Sequence, residues 1–288
     1  MKKYVVSDLH GSGLVYTTII SYLLYNHPDL DFKLYINGDL IDRGESSASM
    51  LLDVYEKLKT NSYPIEYLAG NHELMMMETF QGRQKGKVSS HQEWYDNGGE
   101  ITDKALERAV QTKDNLLEIV DFISNLKICQ PLEEKMSGKE MVLVHAACPL
   151  DVEKVKDKRL KDIDDNSYFY LWAREYDPSL PFRCRIGNPD YFTITGHTPN
   201  ENKEGFSYHK KENYLNIDGG SSIYHAGFKK IDHIPLVQIN NEFLRIIVFN
   251  HKGKIINGYY FDKNDILPFS KWEVEDEKRK VKKIGEKK

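Results

Sequence analysis

One design is repeated six times in this chain and limits what it can fold into. Short runs rich in Tyr, Val, Ile, Leu and Thr pass straight into glycine and polar residues: YVVSD (4–8), KLYINGD (33–39), IEYLAGN (65–71), MVLVHA (141–146), YFTITGH (191–197) and YLNIDGG (214–220). Such runs read as strands whose ends carry the chemistry. Between the first three lie helix-period stretches, with Val15, Ile19, Ile20, Leu23 and Leu24 on one face, and Ala48, Leu51, Leu52, Tyr55 and Leu58 on another. Strand alternating with helix is an α/β pattern, and such sheets bind ligands beyond the carboxyl ends of their strands.

The middle of the chain differs. Residues 81–104 are polar and glycine-punctuated, and Leu116, Ile119, Val120, Ile123 and Leu126 form a further helical face, so residues 81–130 read as a helical insertion or cap. PLVQINN (235–241), EFLRIIVF (242–249) and KIINGYYF (254–261) are strand-like again, with a hairpin turn at Asn250 to Gly253, and are expected to form a second sheet packed on the first. The expected division is therefore one catalytic domain over 1–270 and a charged tail over 271–288, read as a solvated helix end and frayed terminus.

Asp8 and His10 leave the first strand, Asp39 and Asp42 the second, and Asn71 and His72 the third; His145 and His197 each follow a later one. Singly, an Asp before Gly is a turn and a strand-end His a structural hydrogen-bonder. Together they would meet on one sheet edge, where unpaired buried carboxylates repel and one or two divalent cations turn repulsion into coordination. Carboxylate, imidazole and amide donors without thiolate suit Mn, Fe, Zn, Co or Ni better than magnesium.

In order and spacing, DLHG, GDLIDRG, GNHE, VHA and TGHT resemble the calcineurin-like metallophosphoesterase superfamily, in its phosphoprotein phosphatase branch, over about two thirds of the chain. WYDNGGEIT (94–102) is similar to a stretch in bacterial members, both protein phosphatases and symmetrical diadenosine tetraphosphate hydrolases. The resemblance implies a four-layer αββα sandwich of two mixed sheets flanked by helices, and two divalent metal ions, manganese first among them. It implies that Asp8, His10 and Asp39 hold one ion, with Asp39 bridging, and that Asn71, His145 and His197 complete the second. A metal-bridging hydroxide would attack the phosphoryl group, His72 would be the general acid oriented by Asp42, and Arg43 would bind phosphate. A second phosphate-binding arginine falls on Arg174 in LWARE, with Arg183 and Arg185 as competitors. Glu73 reads as support for the ligands rather than one of them.

The chain departs from that pattern at Ser7, where relatives have Gly, and at Ala146 and Ala147, where they have one or two. Asp218 and His225, in IDGGSSIYHAG (217–227), read as a structural turn or as the edge of the site.

The leading expectation is a serine/threonine protein phosphatase-like enzyme. The alternative is a diadenosine tetraphosphate or related nucleotide hydrolase, in which Trp94, Tyr95, Tyr168, Phe169, Tyr170 or Trp172 stacks on a base. A nuclease is disfavoured by Pro199 in GHTP, by the lack of a basic stripe, and by a net charge of only -4 from 40 basic and 44 acidic residues. A non-catalytic scaffold is disfavoured because no key side chain is missing. With its three scattered cysteines, no signal-peptide-like start and no run of about 20 apolar residues, the chain is expected to be cytoplasmic, free of membrane and nucleic acid, and to act on a phosphorylated protein or a small phosphoester.

Overall fold

The structure, a computed structural model, describes residues 1–86, 91–110, 112–165, 167–174, 186–262 and 264–285. Arg183, Cys184 and Arg185 lie outside the described residues. The chain opens with Lys2–Val6 (β1), Gly13–Asn26 (α1), Phe32–Asn37 (β2), Ser47–Lys59 (α2) and Ile65–Leu68 (β3). Next come the helices Asn71–Gln84 (α3), Gln92–Asp96 (α4), Glu100–Ala109 (α5) and Lys113–Ser124 (α6), and the strands Cys129–Met136 (β4) and Lys139–Val144 (β5). Val152–Val155 (α7), Phe169–Trp172 (α8), Phe192–Thr195 (β6), Ser207–His209 (β7), Tyr214–Asn216 (β8) and Ser221–His225 (α9) follow. The chain closes with Ile234–Asn240 (β9), Phe243–Phe249 (β10), Ile255–Phe261 (β11), Ile266–Pro268 (β12) and Lys271–Gly285 (α10).

These strands form two mixed sheets, ordered β12-β11-β10-β9-β1-β2-β3 and β4-β5-β6-β8-β7. The α/β class read from the strand pattern, and the two mixed sheets flanked by helices that the resemblance implied, are both observed. One assignment is corrected. The late strands β9 to β11 were expected to build the second sheet, but β9 pairs antiparallel with the free edge of β1 and extends the first. The second sheet comes instead from β4 to β8, in the middle of the chain. Pattern alone cannot choose between these pairings, because both bury the same alternating faces.

Side-chain alternation separates two interiors. Tyr4, Val6, Leu34 and Ile36 face Val15, Ile19, Leu23, Leu51 and Val54 of the helices. Their neighbours Val5 and Tyr35 point the other way, into the layer between the sheets with Leu143, Phe192, Ile194 and Leu215. Burying each such aliphatic side chain contributes about 1.5–3 kcal/mol, so a one-residue slip that exchanged the faces would be heavily penalised. Register is thereby fixed, and with it the height at which every strand ends.

The C-terminal stretch is helical as expected, but it is not wholly solvated. Glu277 of α10 is buried and accepts hydrogen bonds from Tyr22 (2.5 Å) and Arg245 (2.6 Å), tying the helix to α1 and β10. These partners are remote in sequence, so local charge pattern could not reveal them. Cys129 and Cys148 are free and buried. Among the described residues, no helix is long and apolar enough to cross a membrane.

Candidate metal centre

The loops after β1 and β2 lie side by side. Asp8 N–H donates to Gly38 O (3.2 Å), His10 N–H to Asp39 O (3.0 Å) and Gly11 N–H to Leu40 O (2.9 Å). The backbone that carries the polar side chains is left-handed at Asp8, His10, Asp39, Asp42, Arg43 and His197, with φ between 42° and 73°. Such conformations cost about 1–3 kcal/mol each in a non-glycine residue and concentrate where side-chain direction matters more than local comfort.

Glu73 locks this arrangement from the first turn of α3. Its carboxylate accepts the N–H groups of Asp39 (2.9 Å), Leu40 (3.1 Å) and Gly70 (2.7 Å) and the Tyr67 hydroxyl (2.6 Å). The Gly70 backbone, with φ of -110° and ψ of -175°, is open to any residue. The constraint is spatial: a Cβ there would lie 2.2 Å from Asp39 Oδ1. Ala146 and Ala147 are not among the residues with positive φ, so their methyl groups introduce no backbone strain. The Ser7 hydroxyl, in place of hydrogen, lies 2.5 Å from Asp8 Oδ2.

Two buried clusters share Asp39: one with His10 and His72, the other with His145 and His197, the ligand atoms of each lying within 4.8 Å of one another. In three rings a backbone carbonyl fixes the tautomer. His10 Nδ1–H donates to Ile41 O (3.0 Å), His145 Nδ1–H to Asn37 O (3.0 Å) and His197 Nε2–H to Trp172 O (3.1 Å). The remaining lone pairs of His10 and His145 then face Asp39 Oδ2 at 3.5 and 3.4 Å. Asn71 Oδ1 lies 3.1 Å from His145 Nε2 and 3.0 Å from His197 Nδ1. With neutral rings acceptor confronts acceptor, an arrangement that a bound cation or an added proton relieves. The donor set thus fits divalent metal ions.

Asp8 sits outside those two clusters. Both its oxygens accept the His197 N–H (3.0 and 3.1 Å), and its pKa is pushed well above the usual range by burial and then by Asp218. Asp218 is itself buried, and burial raises its carboxyl to about 6. Reading Asp218 only as a turn residue therefore captures half of its setting: it accepts Gly220 N–H (2.8 Å) but also adds a third acid to this edge. Burial opposes charge on Asp39 as well, yet His145, His72 and His10 outweigh it and hold that carboxyl well below its ordinary value.

Beside the clusters, His72 Nδ1 lies 2.6 Å from Asp42 Oδ2, and its Nε2 is 3.9 Å from Asp39 Oδ2. Burial disfavours charge on this ring, but Asp39 and Asp42 reverse the effect and raise its pKa. Arg43 Nη2 approaches His72 Nε2 at 3.4 Å, and Arg43 Nε is buried without a partner among the described residues. Among the described residues no carboxylate pairs with Arg43, so its guanidinium is available to an anion. Arg174 is exposed, two residues beyond Trp172, whose ring lies 6.2 Å from that of His197.

The aromatic candidates separate cleanly. Trp94 is fully buried and its indole N–H donates to Asp42 Oδ2 (2.7 Å); Thr102 Oγ donates to Asp42 Oδ1 (2.6 Å). Neither contact was read from the sequence, where the only signal was the WYDNGGEIT resemblance. Tyr95 is engaged by Arg83 and Asp103. Phe169 packs against a buried cluster of Ala147, Ala173, Ile186 and Tyr214. Tyr170 is partly buried against the main core. Trp172 and Tyr168 remain, stacked with centroids 5.6 Å apart and planes 10° apart; the Trp172 ring is 6.2 Å from that of His197.

The chain is similar to proteins already known. Residues 1–218 match the family model described as calcineurin-like phosphoesterase. A symmetrical bis(5'-nucleosyl)-tetraphosphatase of Histophilus somni (strain 2336) is 26% identical over 182 residues, 62% of this chain and 58% of that protein. One from Salmonella paratyphi B is 33% identical over 167 residues, 54% of this chain and 50% of that protein. The chain thus spans little more than half the length of these curated relatives. A serine/threonine phosphatase from Saccharomyces cerevisiae superposes with a TM-score of 0.51 at 14% identity, over 83% of this chain and 72% of that one, a likeness of fold.

Proposed function

We propose, because this chain belongs to the calcineurin-like phosphoesterase family, that it hydrolyses phosphomonoesters at a centre of two divalent cations held by Asp8, His10, Asp39, Asn71, His145 and His197. The observation that carries this reading is the confrontation of His10 and His145 lone pairs with the Asp39 carboxylate, next to a histidine bonded to Asp42. Cations held there would neutralise phosphoryl charge and acidify the attacking water. Manganese, iron, zinc, cobalt and nickel all suit these oxygen and nitrogen donors.

The chain's own residues have distinct tasks. Arg43, its Nε–H without a partner among the described residues, would bind phosphoryl oxygens in the planar, two-pronged manner that guanidinium favours, with Arg174 as the second arginine. His72 delivers the proton from Nε2 to the departing oxygen as the bond from phosphorus to that oxygen breaks and a bond to the water oxygen forms. Asp42 holds the opposite ring nitrogen and so aims the proton. On this reading the substrate class is a phosphoserine or phosphothreonine protein.

A second reading, hydrolysis of a dinucleoside polyphosphate, is favoured by one specific observation. Tyr168 stacks on Trp172, whose ring lies beside that of His197, and Trp172 Nε1 is buried without a hydrogen-bond partner among the described residues. An aromatic face with a spare N–H suits a nucleobase. The names of the Histophilus and Salmonella relatives point the same way. Manganese-charged chain assayed side by side on a phosphoserine peptide and on diadenosine tetraphosphate separates the two readings. The first expects the higher kcat/KM on the peptide; hydrolysis of neither overturns both.

A further inference from the structure

Asp42 is held from three sides. Oδ2 accepts His72 Nδ1–H (2.6 Å) and Trp94 Nε1–H (2.7 Å), Oδ1 accepts the Thr102 hydroxyl (2.6 Å), and Asp42 N–H donates to Thr102 Oγ (3.1 Å). All of these groups are fully or almost fully buried. An indole N–H only donates, and the Thr102 hydroxyl is already committed, so the carboxylate has no freedom to rotate and no competitor for His72. The same segment wraps the next residue. Arg43 N–H donates to Gly98 O (3.1 Å), and a Cβ on Gly98 would lie 2.8 Å from Arg43 Cγ. At Gly99 a Cβ would lie 2.3 Å from the Trp94 ring. The two glycines of WYDNGGEIT are thus what lets this stretch close around Asp42 and Arg43.

We infer that Trp94 and Thr102 are positioning residues for proton delivery, acting through Asp42 on His72, and that the 94–102 segment serves this purpose rather than contacting substrate. The inference rests on the proposed role of His72 as donor to the leaving oxygen. In that step the phosphorus–oxygen bond to the leaving group breaks, the His72 Nε2 proton moves to that oxygen, and the oxygen of a water that has lost one proton to solvent bonds to phosphorus; a solvent proton then restores His72. A misaimed His72 harms a leaving group that needs the proton and spares one that does not. A purely structural defect harms both alike.

The test compares wild type with Thr102→Val, Trp94→Phe and Thr102→Ser, all charged with manganese, on a nitrophenyl phosphate and on a simple alkyl phosphate. In Thr102→Val and Trp94→Phe, kcat on the alkyl ester should fall by about tenfold or more, while on the nitrophenyl ester it falls less than about threefold, with KM and metal content kept. Thr102→Ser, which retains the hydroxyl, should restore the alkyl rate. Thr102→Val is nearly isosteric and keeps the test valid if Trp94→Phe does not fold. Equal losses on both esters, a change in KM alone, or loss of metal would overturn the inference while leaving the hydrolase reading intact. A wild-type chain inactive on both esters overturns that reading, and this inference with it.

Discussion

His145 Nε2 lies 3.4 Å from Asp39 Oδ2 while the opposite ring nitrogen donates to Asn37 O at 3.0 Å, so two electron-pair donors face one another inside the protein. Without a cation, the relief available is a proton. Burial opposes that proton, but Asp39 and then Asp8 outweigh burial and lift the His145 pKa to about 10.

Metal binding must therefore expel a proton at neutral pH. Titration of chelator-treated chain with manganese, in buffers of different ionisation enthalpy, should show at least one proton released per chain at pH 7 and an affinity that rises with pH. The sign for stability follows from the same shift. The folded pKa lies above the ordinary value of 6.5, so charged His145 stabilises the metal-free fold fully below that value and loses this contribution as pH rises through about 10. The Tm of the chelated chain should fall across that window, and that of the manganese-loaded chain should not.

Gly70→Ala separates fold from centre. The backbone at Gly70 accepts alanine, but the new methyl would lie 2.2 Å from Asp39 Oδ1. Overpacking of this kind costs about 1–3 kcal/mol, and displaced ligand geometry weakens metal affinity by about 10–100-fold. A folded variant with wild-type metal affinity would contradict the spatial account of this glycine.

Much of the convergence at this candidate centre could be read before the fold was known, because strand-end position is written in sequence: Asp39, Asn71, His145 and His197 each follow an apolar run, and in a sheet those ends meet. What fixes the imidazoles could not. The carbonyls of Ile41, Asn37 and Trp172 that set the tautomers belong to backbone, which leaves no residue-type signal. Trp94 misled for a related reason. Its aromatic ring suggested a base, but its function here comes from an N–H meeting a carboxylate 52 residues earlier. The late strands misled because an alternating pattern specifies a buried face and not which sheet owns it.

Glu277→Ala tests the docking of α10. It leaves the Tyr22 hydroxyl and the partly buried Arg245 without their shared acceptor, which should cost about 1–3 kcal/mol of stability. Denaturant titration should show the loss, with kcat unchanged, since these contacts lie apart from the strand ends that form the centre. An unchanged unfolding midpoint would mean that the helix contributes nothing through this residue.

The most direct test of the whole account compares wild type and His72→Ala in one preparation series, measuring bound metal and turnover of an aryl phosphate together. The account predicts two metal ions per chain in both proteins and a kcat lower by about 10²–10⁴-fold in the variant. Undiminished turnover in His72→Ala with its metal retained would contradict it.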